Sequence, residues 1–106
     1  PTLVTLGIPL PSGLVDNLAY FKINDEQGND VPIFIEPTLY WHFNPDNAQS
    51  IRAVRVQFFV EQLSEANDDF SWFIGSTAAE NRIEKSDISL FYIQEIIALF
   101  WLHLKR

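Results

Sequence analysis

Trp41 and His42, followed by Asp46, form the constellation in this sequence best suited to holding a ligand. An indole face can stack on a sugar ring, and an imidazole and a carboxylate can hydrogen-bond its hydroxyls. The same residues also read as a tryptophan packed at one end of a domain beside a solvated loop. A metal would need a third ligand beyond His42 and Asp46. The other histidine, His103, stands in an apolar tail at no useful spacing, so neither metal nor cofactor is expected. Glu61, Glu65, Asp68 and Asp69 cluster, but no apolar pocket is evident to drive their pKa values apart. They read as a solvated loop rather than as an acid and a base. Arg52 and Arg55 fall on opposite faces of one strand and cannot share an anion. Arg52 is placed instead for a rim ion pair with Asp46.

Several classes of function are excluded or disfavoured. The sequence has no phosphate-binding Walker loop, dinucleotide fingerprint or His-Glu-x-x-His helix. Its formal charge of -7 disfavours nucleic acid, whose affinity rests on clustered Lys and Arg against phosphates. Without cysteine there is no disulfide framework and no thiolate site, which leaves periplasm, surface and cytosol all open. With 106 residues, 47% of them apolar, one globular core is the most the chain can build. It starts without Met and without a charged-then-apolar leader. It therefore reads as a processed chain or, preferably, as a piece of a longer one.

The elements that would position these residues are short and strand-like. Thr2 to Ile8 alternates, with Val4, Leu6 and Ile8 on the side expected to be buried. The stretch Gly7-Ile8-Pro9-Leu10-Pro11-Ser12-Gly13 then reads as a strand exit and broad turn. Its prolines lack donors, its glycines are permissive, and the ladder is expected to stop at Ile8. Leu18 to Asn24 predicts a second strand with Phe21 and Ile23 inward, closed by a hairpin turn over Asp25–Asp30 in which Gly28 takes positive φ. Val31 to Trp41 is extended, with Pro32 and Pro37 placing it at an edge or kinking it. Asn44-Pro45-Asp46-Asn47 is a turn signal. Ile51 to Glu61 is the longest strand, with Val54, Val56 and Phe58 as its core face and Arg52 at the rim. An aromatic strand from Phe70 ends at Gly75. Such a series of five to six short strands predicts an all-β domain over residues 1–79, a small barrel or sandwich.

Residues 80–106 differ in character, as a linker followed by an apolar tail. Ile88 to Leu104 is almost wholly apolar and, as a helix of about 17 residues, would reach about 25 Å, near the lower limit for spanning a bilayer. Three readings stand. The tail is a core-packing helix or strand pair, a membrane- or partner-binding helix, or a truncated or out-of-frame end.

One resemblance covers residues 2 to 75. The Gly7, Pro9, Pro11, Gly13 turn comes first, then Phe21-Lys22-Ile23-Asn24-Asp25 with Gly28, then Val31-Pro32, Trp41 and Ser50-Ile51-Arg52 before a long strand. In that order and spacing, the chain resembles the N-terminal RIFT-type β-barrel domain of exo-rhamnogalacturonan-lyase-like proteins. It departs from that pattern at Phe34-Ile35 and in the lengthened stretch from Trp41 to Ser50. The resemblance implies a non-catalytic accessory barrel that precedes a downstream catalytic domain of the same polypeptide, in a larger carbohydrate-active protein. It further implies a bacterial source and a periplasmic or extracellular setting. It carries over no catalytic residue. Two alternatives remain: a carbohydrate-binding module using Trp41 and His42 on an oligosaccharide, and a small domain docked to a membrane or partner through Ile88–Leu104.

Overall fold

The computed structural model describes residues 2–41, 50–61 and 69–105. Five strands, β1 (Thr2–Pro9), β2 (Phe21–Asn24), β3 (Phe34–Tyr40), β4 (Ile51–Val60) and β5 (Ser71–Ile74), precede a helix, α1 (Lys85–Leu104). They form two antiparallel sheets, ordered β1-β4-β3 and β2-β5, and among the described residues the strands do not close a barrel.

β4 is the organising strand because both its edges are paired. Its β-branched and aromatic residues suit a pleated surface, and Val54, Val56 and Phe58 are buried while Arg52 and Arg55 are exposed. Phe21 and Ile23 of β2 meet that face, with Leu10, Val15, Ile33 and Ile51 completing one core shared by the two sheets. Phe70 packs its ring on Phe58 at 4.9 Å between centroids.

Several boundaries differ from the sequence expectation. The β1 ladder does not stop at Ile8: Pro9 lies opposite Ala53, and the Leu10 N–H donates to Arg52 O at 2.8 Å. In antiparallel pairing alternate residues bond to the neighbour, so the donorless Pro9 nitrogen falls on the open side of an edge strand. Gly7 sits within β1 and needs no special conformation; Gly13, at φ 82°, does. Leu6, expected inside, is 38% exposed. Leu18–Tyr20 form a 3-10 turn rather than strand, because Asn17 Oδ1 accepts from the Ala19 N–H at 2.9 Å and caps it.

The Asp25–Asp30 turn forms, with Gly28 at φ 81° and Asp25 Oδ1 accepting from the Gln27 and Asn29 N–H groups. It does not lead into a long hairpin. After the Asn24–Asp30 bridge, made by bonds from the Asp25 N–H to Asn29 O and from the Val31 N–H to Ile23 O, Pro32 supplies no donor and the chain leaves. β3 starts only at Phe34 and pairs with β4 as an edge strand, with register shifts around Pro37 and Leu39.

The apolar tail is a helix that is not folded into the core. Glu84 and Asp87 form a reciprocal capping box at its start. Its foot rests on the outer side of the three-stranded sheet, where Ile88 is buried and Phe91 meets Phe59 at 5.1 Å. The rest projects. The long axis of the molecule is 63 Å, and the radius of gyration is 16.9 Å against about 13 Å for a compact chain of this length.

Candidate functional site

Trp41 stands at the end of β3, where three connections meet. Its indole N–H donates to Leu10 O at 3.1 Å, and its backbone N–H donates to Ser50 O at 2.9 Å. Ser50 is buried and its Oγ accepts from the Gly13 N–H at 2.9 Å, while the Ile51 N–H donates to Val15 O at 2.8 Å. The Arg52 guanidinium lies over the indole, 5.0 Å from the ring centroid. The residues carrying the sequence pattern at Gly13, Trp41, Ser50 and Arg52 therefore converge on one corner. That corner fastens the Pro-rich turn to the start of β4.

His42 and Asp46, the other members of the ligand constellation, lie outside the described residues, as does the rim pair expected between Arg52 and Asp46. Glu65 and Asp68 lie outside them too; Glu61 and Asp69 are both exposed. Arg55, on the opposite face of β4 from Arg52, is ion-paired with Glu36 of β3. Among the described residues no group of three His, Cys, Asp or Glu side chains could hold a metal ion.

A cleft of about 440 Å³ opens between β2 and the connection from β5 to α1, lined by Lys22, Asp30, Thr77, Glu80, Asn81 and Arg82. Its cations are already engaged. Lys22 Nζ donates to Thr77 Oγ1 at 3.1 Å, and Arg82 donates to the carbonyls of Leu18, at 2.8 Å, and Phe21. Burial draws the Arg82 guanidinium below its ordinary pKa. Its role in this arrangement is to stitch the connection to β2. The sequence gives little sign of this, since a lone arginine before a helix carries no spacing that points to distant carbonyls.

No family model matches this chain, and neither do any curated protein or solved structure.

The largest chemical feature left is α1. By length and composition it is apolar enough to cross a membrane, and it is almost entirely exposed. Ile96, Ile97, Leu99, Phe100, Leu102 and Leu104 are each 59% or more exposed. Successive residues on a helix point 100° apart, so Ile96, Ile97, Leu99, Trp101 and Leu102 between them leave no side of the helix without an exposed apolar residue. Trp101 stands towards the C-terminal end, and Lys105 Nζ lies 5.2 Å from its ring centroid. Gln94 and Glu95 interrupt the middle.

Proposed function

We propose that this chain is a non-catalytic β-domain held at a lipid bilayer by α1. The observation that carries the reading is that α1 is apolar on all sides and only Ile88 of it is buried. A helix with one apolar stripe can satisfy itself by packing on a sheet; one that is apolar all round needs surroundings on every side. Twenty residues at 1.5 Å each give about 30 Å, the thickness of a bilayer hydrocarbon core. Trp101 lies towards the interface at the C-terminal end, and Lys105 can reach a headgroup.

The energetics are narrow. The Ile, Leu and Phe residues from Ile88 to Leu104 favour insertion by about 3–6 kcal/mol in sum, whereas one charge at the centre opposes it by about 2.5–3.5 kcal/mol. Arg82 and Lys85 on one flank balance Lys105 and Arg106 on the other, so flanking charge favours neither orientation. Only Ile93–Leu104, about 18 Å, stands clear of the sheet. A full crossing therefore takes the foot as well, and Phe91 leaves Phe59 as the helix inserts.

Flotation with phosphatidylcholine vesicles followed by alkaline carbonate extraction tests this. The full chain is expected to float and to resist extraction. A chain that stays monomeric in detergent-free buffer at the bottom of the gradient overturns it.

A second reading is favoured by the corner at Trp41, where the residues of the sequence pattern serve architecture rather than chemistry. In that reading the β-domain is the accessory RIFT-type barrel of a larger carbohydrate-active protein, and α1 is enclosed by the downstream catalytic domain. Translating the coding DNA beyond Arg106 and expressing the longer polypeptide separates the two. A detergent-free soluble product that forms unsaturated sugar from pectic substrates supports this second reading against the first.

A further inference from the structure

Gln94 and Glu95 are exposed polar residues close to the midpoint of α1, with apolar residues on either side along the helix. If α1 spans a bilayer, as the reading above holds, both lie within a few ångströms of its centre. A carboxyl and a carboxamide at that depth find no water, and polar groups in such segments turn towards a partner that can hydrogen-bond them. The β-domain supplies none there: it holds the helix at its foot, where Ile88 is buried and Phe91 meets Phe59, and among the described residues no hydrogen bond joins it to either side chain.

We propose that α1 pairs in the membrane with α1 of a second copy of this chain, through Gln94, Glu95 and Ala98. Every copy carries its β-domain before the helix, so copies inserted alike are parallel. Parallel two-fold symmetry then sets each Gln94 beside the other copy's Glu95, the two differing in depth by only one residue's rise of about 1.5 Å. The carboxamide N–H donates to the carboxyl oxygen, and symmetry repeats the bond, so the patch is complementary to itself. Ala98 is four residues after Gln94 and three after Glu95, so it lies between them one turn further on. Its small side chain lets the two backbones approach closely. Leu or Phe on the remaining faces stays in contact with lipid.

The test uses the full chain with Gln27→Cys, an exposed turn position in a protein without native cysteine, labelled separately with donor and acceptor dyes. Both populations are reconstituted in phosphatidylcholine vesicles over a range of protein-to-lipid ratios. Energy transfer above that of randomly placed molecules, rising linearly with acceptor fraction, is the result expected of a dimer. Adding Gln94→Leu and Glu95→Leu is expected to leave flotation intact while weakening pairing about threefold to thirtyfold. Ala98→Phe, which keeps both polar groups, is expected to weaken it as well. Transfer no greater than random in vesicles that do carry the protein overturns the pairing alone. So does transfer that persists in the double Leu variant. Failure of the parent chain to float overturns the membrane reading and the pairing together.

Discussion

The Arg52 guanidinium lies over the Trp41 ring, 5.0 Å from its centroid, while the indole N–H is committed to Leu10 O. One face of the indole is therefore covered by the chain's own cation, and a sugar stacking on that face has to displace it. In a Trp72→Phe, Trp101→Phe background, where Trp41 alone reports, Arg52→Ala is expected to raise acrylamide quenching. It should also lower stability by about 0.5–1 kcal/mol, the range for an exposed cation–π pair. Unchanged quenching would show that Arg52 does not shield the ring. Neutral and acidic oligosaccharides titrated against the same background report whether the ring accepts a sugar at all.

Gly13 and Gly7 flank the same Pro-rich turn and should respond in opposite ways to alanine. Both have open space where a Cβ would go, but only Gly13 has positive φ, at 82°. Gly13→Ala is expected to destabilise by about 1–2 kcal/mol through backbone strain alone. Gly7→Ala, in ordinary strand conformation, is expected to be neutral or to stabilise by about 0.4–1 kcal/mol by narrowing the unfolded ensemble. Ser50→Ala removes the acceptor of the Gly13 N–H in a part-buried site and is expected to cost about 1–3 kcal/mol. Thermal melts of the three variants check the set, and equal shifts for the two glycines would refute the conformational account.

Phe58→Ala should be the most damaging of the aromatic truncations in β4. Phe58 is fully buried where the sheets meet, against Phe70, so its loss is expected to cost about 3–5 kcal/mol. That is a large share of a typical total of about 5–15 kcal/mol. Phe59, on the other side of the strand, touches only Phe91 at the foot of α1 among the ring contacts. Phe59→Ala is expected to cost far less and to loosen the helix instead, read by proteolysis near Ile88. A smaller loss in urea stability for Phe58→Ala than for Phe59→Ala would place the core elsewhere.

Arg82 holds its connection through two main-chain carbonyls rather than through a carboxylate. Arg82→Met is therefore expected to leave the acceptors of Leu18 and Phe21 without this donor and to destabilise by about 1–3 kcal/mol. Burial lowers its pKa, yet an arginine stays charged throughout the ordinary range. The contribution should therefore be the same at pH 5 and pH 8. A stabilisation that disappeared between those values would assign the effect to another group.

What the sequence made legible follows from which interactions are local. The period-two pattern of Val54, Val56 and Phe58 marked the core face of β4, and Phe21 with Ile23 did the same for β2, because side-chain alternation is a property of the strand itself. The Asp25–Asp30 turn was legible for a similar reason: Asp25 bonds within its own loop. Pairing partners were not legible. That β3 joins β4 instead of β2 depends on Pro32 ending a ladder after a single bridge, and that the ladder survives Pro9 depends on which edge is open. The capping of Leu18–Tyr20 by Asn17 overrode an apolar run that reads as strand. At the candidate site, Trp41 and Arg52 could be picked out singly, but their stacking could not, since residues so far apart in the chain are joined only by the fold. Arg82 and Lys22 gave no local signal of the cleft they share.

The helix offers the sharpest contrast between water and lipid. Leu99 is 66% exposed and Glu95 is also exposed, so neither side chain contributes appreciably to the folded β-domain in water. Leu99→Lys and Glu95→Leu should accordingly leave its melting temperature almost unchanged. In a bilayer the two have opposite signs. Placing a lysine near the centre and losing a leucine opposes insertion by about 3–4 kcal/mol, while replacing Glu95 with leucine favours it by a comparable amount. Vesicle partitioning is therefore expected to fall by roughly several hundredfold for Leu99→Lys and to rise for Glu95→Leu. A helix enclosed by a protein partner would behave otherwise, since the response would then depend on the shape of the enclosing surface at each position rather than on polarity alone. Parallel loss of binding in both variants, with the melting temperature intact, would favour the protein partner over the bilayer.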